Sequence, residues 1–338
     1  MIGDSGTQIG GAARGGRGRF ALGFLGLLGA LLGAGRAGPV WAELAGHGGI
    51  VNWITVSPDG KQALTASWDH TIRLWDLETQ KEKRVLEDHV ASVNAVAFLP
   101  GAERALSASW DGTLKLWNLA DGAVLKTFLG HANNGSSVAV SPDGRHGASG
   151  GWDHTIRVWN LDRGTEEAVL VGHTANVMAL AFLPDGRTLL SAGYDNVLKL
   201  WSLDSSEVLA TLSGHANSVN GLAVSADGKR AISASADATV RVWDLVERKE
   251  IAVLEGHEGF VIAVALSPDG RFALSGGGDR TVRLWDIATA RQVRAFVGHA
   301  RPIWSVAFTP DGARALSAGH DEVVKIWDVA SGTEIVPR

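Results

Sequence analysis

A histidine, a hydroxyl, an aspartate and a tryptophan recur together along the chain: His47, Thr65, Asp69 and Trp75; His89, Ser107, Asp111 and Trp117; His131, Ser149, Asp153 and Trp159; His173, Ser191, Asp195 and Trp201; His215, Ser233, Asp237 and Trp243; His257, Ser275, Asp279 and Trp285; and His299, Ser317, Asp321 and Trp327. Serine, histidine and aspartate are the types of a nucleophilic triad, in which the imidazole takes the hydroxyl proton and the carboxylate orients the imidazole. Seven copies of one set, each with an indole competing for the hydroxyl, make an implausible enzyme and a plausible hydrogen-bond chain. Indole only donates, hydroxyl and imidazole do both, and carboxylate accepts, so each donor meets an acceptor. A buried bond of this kind contributes roughly 1 kcal/mol net, and more at the carboxylate. Imidazoles engaged on both nitrogens are not free for a metal, and the other four histidines, His70, His146, His154 and His320, are scattered over three units without metal-ligand spacing. The expectation is therefore no catalytic residues, no metal and no cofactor.

The elements that must position these groups follow from their spacing. The closing tryptophan recurs every 42 residues, at Trp75, Trp117, Trp159, Trp201, Trp243, Trp285 and Trp327, so seven units tile residues 45 to 338. Inside a unit apolar residues alternate with period two, as in VNAVAFLP (93–100) and RAISAS (230–235), and turn signals interrupt every 8 to 12 residues. About four short strands per unit follow. Asp-Gly at 59–60, 143–144, 185–186, 227–228, 269–270 and 311–312 marks the turn between first and second strands, where glycine tolerates positive φ. No helical pattern interrupts them.

Gly-His opens six units, at 46–47, 130–131, 172–173, 214–215, 256–257 and 298–299, with Asp88-His89 as the variant. Trp-Asp closes four, and Trp117-Asn118, Trp159-Asn160 and Trp201-Ser202 depart from it. A period of this length with these signatures resembles the WD-repeat family of β-propellers over all seven units. The resemblance implies an all-β, seven-bladed propeller over residues 43–338, four antiparallel strands to a blade. It also implies that each tetrad ties the loop before the first strand to the turn between second and third strands, and that this turn faces the narrow top of the ring.

At that top the scaffold leaves identities free. The residue before each tetrad aspartate reads Trp68, Trp110, Trp152, Tyr194, Ala236, Gly278 and His320. Three and five residues after each repeat histidine come Ile50 and Asn52, Ser92 and Asn94, Asn134 and Ser136, Asn176 and Met178, Ser218 and Asn220, Phe260 and Ile262, and Pro302 and Trp304. In a closed ring Trp304, His320, Trp68, Trp110, Trp152 and Tyr194 would form an arc, with asparagines inside it. Exposed aromatics rimmed by polar groups have the composition of a binding hot spot, and Asn52, Asn94, Met178, Asn220 and Phe260 complete the candidate partner-binding set. Trp53 stands where the other units carry Ala95, Ser137, Ala179, Gly221, Ala263 and Ser305. A local packing substitution is expected there, with a plug at the channel mouth as the alternative. A lysine or arginine also stands two places before each closing tryptophan, from Arg73 to Lys325, and reads as a solvated face beside acidic neighbours.

Together these point to a non-enzymatic scaffold that docks a protein or peptide on its top face, as a monomeric propeller. The alternative is a small-molecule or sugar-binding exported propeller, which to be hydrolytic needs a unique pair of acids near the channel. A formal charge of −5 without a basic run outside the N-terminus argues against nucleic acid, and zero cysteines exclude disulfides and thiolate chemistry. Residues 1–42 differ: Arg14, Arg17 and Arg19 precede the apolar run 20–35, and Val40 and Ala42 suit a cleavage site. They read as a secretory signal, giving a periplasmic or extracellular product, with a membrane anchor as the alternative for a run short of the roughly 20 residues of a span. Shifted by seven repeats, PVWAEL (39–44) and TEIVPR (333–338) map to the same slot, the outer strand of blade seven. With a cut after Ala42, closure is expected from residues 333–338 alone, Pro337 being tolerable at an edge.

Overall fold

Period-two patterning in VNWITV, QALTAS and TIRLWD produces three hydrogen-bonded strands, β1 (Val51–Val56), β2 (Gln62–Ser67) and β3 (Thr71–Asp76), and KEKRVLE adds β4 (Lys81–Glu87) at the outside. The structure is a computed structural model and describes residues 44–336. Burial falls from β2, covered on both faces, to β4, whose side chains are mostly exposed. The small residues of β2 let neighbouring sheets approach from either side. The turn before it is an Asp-Gly turn with Gly60 at φ +71°, where the Asp59 carboxylate accepts from the Ser57 hydroxyl (2.6 Å) and the Lys61 amide (3.1 Å).

The same antiparallel order repeats over 51–87, 93–129, 135–171, 177–213, 219–254 and 261–297, and three strands follow over 303–328. The innermost strand of each sheet packs on those of its neighbours, and β1 meets both the second and the seventh, so the sheets form a closed seven-bladed propeller. No helix occurs among the described residues. The core lies between blades. Trp117 of blade two, for example, packs with Leu64, Ile72 and Leu86 of blade one, and Trp75 of blade one packs with Leu316, Val324 and Ile326 of blade seven. Each closing tryptophan is thus a wedge between two sheets, which the 42-residue period places once per interface.

Blade seven corrects the closure expectation. Its outer edge is covered by two isolated bridges, Leu44 with Val324 and Glu334 with Trp327, rather than by one segment. The Leu44 amide donates to the Val324 carbonyl (3.2 Å), and the Ile335 amide donates to the Ile326 carbonyl (2.7 Å). The physical reason is reach: Leu44 pairs at the top end of the strand Val324–Asp328 and the later segment at the bottom end, so the two do not compete. Leu44 also lies beyond the expected cut after Ala42. The expected signal or anchor at 1–42 and the last residues, 337 and 338, lie outside the described residues.

Candidate functional site

All seven tetrads are joined end to end. The indole Nε1–H donates to the Ser or Thr oxygen at 2.7–2.9 Å. That hydroxyl lies 2.6–2.8 Å from the histidine Nε2, and the histidine Nδ1 lies 2.7–3.0 Å from the aspartate. With the indole as donor, the hydroxyl proton goes to Nε2, and Nδ1–H goes to the carboxylate, so the chain is satisfied by a neutral imidazole. Burial lowers the pKa of His131, His215 and His257 against the pull of their aspartates, in keeping with that neutral form. The carboxylates stay ionised. At Asp279 burial raises the pKa, but its partner His257 and the bonds from Thr281 outweigh it and leave it lowered to about 2. The other six tetrad aspartates are also lowered. A hydroxyl held between indole and imidazole, with its proton already given, has no route to a substrate.

The top of the ring is set by a feature that the repeat pattern does not announce. In β1 the pairing runs Val51 to Ser67 and then Trp53 to Ala66, so Asn52 is an extra, unpaired residue. The same bulge frees Asn94, Ser136, Met178, Asn220, Ile262 and Trp304. A bulge re-aims a side chain out of the pleat, and here it sends seven side chains into the mouth of the central channel. Four of them clasp the next blade: Asn52 Nδ2 donates to the Val93 carbonyl (3.4 Å), Asn94 Nδ2 to the Gly135 carbonyl (2.8 Å), Ser136 Oγ to the Val177 carbonyl and Asn220 Nδ2 to the Val261 carbonyl (3.3 Å). Asn52 Nδ2 also donates to Asn94 Oδ1 (3.2 Å).

Above this collar lies a cavity of about 500 Å³. Consecutive rings wall it: Trp304 to Trp68 at 6.3 Å, Trp68 to Trp110 at 5.6 Å and Trp110 to Trp152 at 5.8 Å between centroids, with Tyr194 next in order. Each turn residue is held in place by the loop that precedes the innermost strand, as the Trp68 amide donates to the Ile50 carbonyl (2.9 Å). Trp68, Trp152 and Tyr194 remain 36–44% exposed, whereas Trp110 is half-buried between its neighbours. Asn52, Asn94, Met178, Asn220 and Phe260 also line the cavity.

His320 does not. Blade seven contributes Trp304 from its bulge instead, and His320 lies outside the lining. At blade six the turn residue is Gly278, and the Phe260 ring occupies the space above it, 2.9 Å from where a Cβ would stand. The aromatic wall therefore misses only blade five, where Ala236, Ser218 and Asn220 leave a gap. Trp53 does both things considered for it: it packs on the cores between blades one, two and three, and it lines the cavity. Ile54, Leu222, Val264 and Val306 line the channel below and were not singled out by sequence, because alternation assigns them to the strand and says nothing of the bulge beside them.

No aspartate, glutamate, lysine or arginine lines this cavity among the described residues. Among the same residues no group of three or more histidines, cysteines or carboxylates is placed to hold a metal ion. The recurring basic residues are spoken for: Arg73 pairs with Glu82, Arg157 with Glu166, Arg241 with Glu250, Lys115 with Asp88 and Lys325 with Glu334.

Comparison with known proteins agrees with this geometry. A 65% identity over 34 residues joins the chain to the small ribosomal subunit protein RACK1 of Candida albicans, covering 10% of this chain and 11% of that protein. The cross-pathway control WD-repeat protein 2 of Flammulina velutipes is 56% identical over 36 residues, 11% of each chain. Lissencephaly-1 homolog 1 of Paramecium tetraurelia is 44% identical over 45 residues, 13% of this chain and 11% of that protein. The matches thus span about a tenth of the relatives' length, on the scale of one repeat. The WD40 family, described as WD domain, G-beta repeat, matches residues 38–76, 80–118, 122–160, 164–202, 206–244, 248–286 and 290–328, and the chain belongs to that family.

Proposed function

We propose that this propeller is a non-enzymatic interaction module that captures a protein or peptide on its top face. The observation that carries the reading is the asymmetry of an otherwise repeated ring: the tetrads are the same in every blade, while bulge and turn positions gather Trp304, Trp68, Trp110, Trp152 and Tyr194 on consecutive blades around a cavity and leave a gap at blade five. Rings of this size bury large area at small entropic cost, and truncating one at a hot spot costs about 2 kcal/mol of binding. The small-molecule alternative draws support from the cavity volume, which suits a compact ligand. Hydrolysis of a sugar would need two carboxyl groups flanking the bond, and the lining offers none.

Alanine at Trp68, Trp110 and Trp152 together is expected to abolish capture of a partner from the native compartment while the protein still unfolds cooperatively. Capture unchanged in that variant would end the top-face reading. We also place the protein outside the cytoplasm on the strength of residues 1–42, as a cleaved product or, if uncut, anchored in the membrane. Edman sequencing of the native protein is expected to start at Glu43, and a start at Met1 would refute cleavage.

A further inference from the structure

Six blades open their innermost strand on a branched aliphatic residue, Val51, Val93, Val177, Val219, Val261 or Ile303, whereas blade three opens on Gly135, directly after Asn134. The backbone does not ask for that glycine. Its φ is not in the left-handed region, where Gly144 and Gly164 of the same blade lie. The Trp152 amide donates to the Asn134 carbonyl (3.1 Å), which makes Gly135 and Gly151 a pair of the kind that exchanges no hydrogen bond, so the Gly135 N–H is not spent on the strand His146–Gly151. Asn134 is half-buried, and its side chain makes no hydrogen bond among the described residues. The other Asn-Gly pair in the chain is held. Asn220 gives its Nδ2 to the Val261 carbonyl (3.3 Å), and a Cβ on Gly221 would stand 2.4 Å from the Ile262 carbonyl oxygen, so there the packing does require glycine.

We infer that Asn134 and Gly135 form a self-modifying site, at which Asn134 is converted without an enzyme to isoaspartate or aspartate. The Gly135 nitrogen attacks Cγ of Asn134 and gives up its proton, the Cγ–Nδ2 bond breaks, and Nδ2 departs with that proton as ammonia, leaving a five-membered succinimide. Glycine permits this approach because it has no Cβ to hinder its own nitrogen. Water, the one co-reactant, then adds to either carbonyl carbon and reopens the ring. Opening at Cγ gives aspartate. Opening at the former backbone carbon gives isoaspartate: the main chain now runs through Cγ, one carbon longer, and a free carboxylate replaces the carbonyl that receives the Trp152 amide. No aspartate, glutamate, lysine or arginine lines the neighbouring cavity among the described residues, so the reaction brings charge to an uncharged wall. The added carbon also falls next to Gly135, whose carbonyl is the acceptor for Asn94 Nδ2 (2.8 Å). The site is independent of the top-face reading and stands whatever the ring binds.

The test is a time course of the intact protein in neutral phosphate buffer, followed by mass spectrometry of its tryptic peptides with fragmentation that tells isoaspartate from aspartate. Peptides 127–145 and 200–229 carry the two Asn-Gly pairs. The first is expected to exchange –NH2 for –OH at position 134 about tenfold faster than the second does at position 220, the factor set by the one hydrogen bond that Asn220 must first give up. Isoaspartate is expected as the main product. Gly135→Val and Asn134→Ser each install what sister blades hold at that place, as at Val93 and Ser92, so both are expected to fold and to abolish the change. In ¹⁵N spectra the Trp152 backbone amide signal is expected to shift in aged wild type and to stay in aged Gly135→Val. Equal rates at the two pairs, or an undiminished change at Asn134 in Gly135→Val, would overturn the proposal. Isoaspartate formed with the Trp152 signal unmoved would overturn the placing of the new carboxylate.

Discussion

The tetrads and the channel mouth are built from overlapping residue types, yet one is written seven times and the other once. In the tetrads every donor has its acceptor, the indoles are no more than 2% exposed, and the seven copies differ in length by a few tenths of an ångström. At the mouth, the equivalent bulge positions hold two amides that clasp the next blade, then a hydroxyl, a thioether, an amide, an aliphatic chain and an indole, and two of their polar atoms go unpaired. Where a ring must close, repetition is enforced, because each wedge fits the same gap between sheets. Where it must recognise something, the repeat is broken.

The largest expected effect falls on the repeated side. Trp243→Ala removes a buried indole, opens a gap against Leu190 and Leu212 and leaves the Ser233 hydroxyl without its donor. A loss of about 3–5 kcal/mol is expected in denaturant unfolding. A change under 1 kcal/mol would mean that the wedges do not hold the ring.

Acid is expected to act next, again through the tetrads. His131, His215 and His257 have folded pKa values below the unfolded one, so between the two the unfolded chain binds more protons, and stability falls as pH drops below about 6.5. The aspartates, also lowered, add stability that is fully present above about 4 and is lost as pH falls through their folded values, about 2 for Asp279. Melting temperature should therefore decline in two stages, first between pH 7 and 5 and again below pH 4. A flat profile to pH 5 would argue for charged imidazoles in the chain.

The smallest stability effect belongs to the mouth. The triple alanine variant at Trp68, Trp110 and Trp152 is expected to cost less stability than Trp243→Ala alone, because two of these rings are over a third exposed and serve no hydrogen bond of the scaffold. Calorimetry of the two variants side by side measures the contrast, and equal losses would erase it.

The ring itself was legible because 42-residue spacing, Asp-Gly turns and the His, Ser, Asp and Trp set all recur in the sequence. The mouth was legible in part. Turn residues such as Trp68 and Tyr194 could be placed by counting from a tetrad aspartate. The bulge at Asn52 could not be read, since it is a matter of register between strands and leaves no fixed residue behind. That is why Trp304 rather than His320 speaks for blade seven, and why the filling of the space over Gly278 by Phe260 is a property of the folded ring alone. The shared closure by Leu44 and Ile335 was hidden for another reason, because equivalence by period suggests rivalry where the strand is long enough for both.

That shared edge also governs how the molecule bears tension. A pull transmitted through the chain ahead of Leu44 would meet the Leu44 amide on Val324 and the Leu44 side chain buried between blades one and seven, at the opposite end of the strand from the Ile335 bond to Ile326. With the two attachments at separate residues of one strand, the release of either leaves the other's hydrogen bond in place.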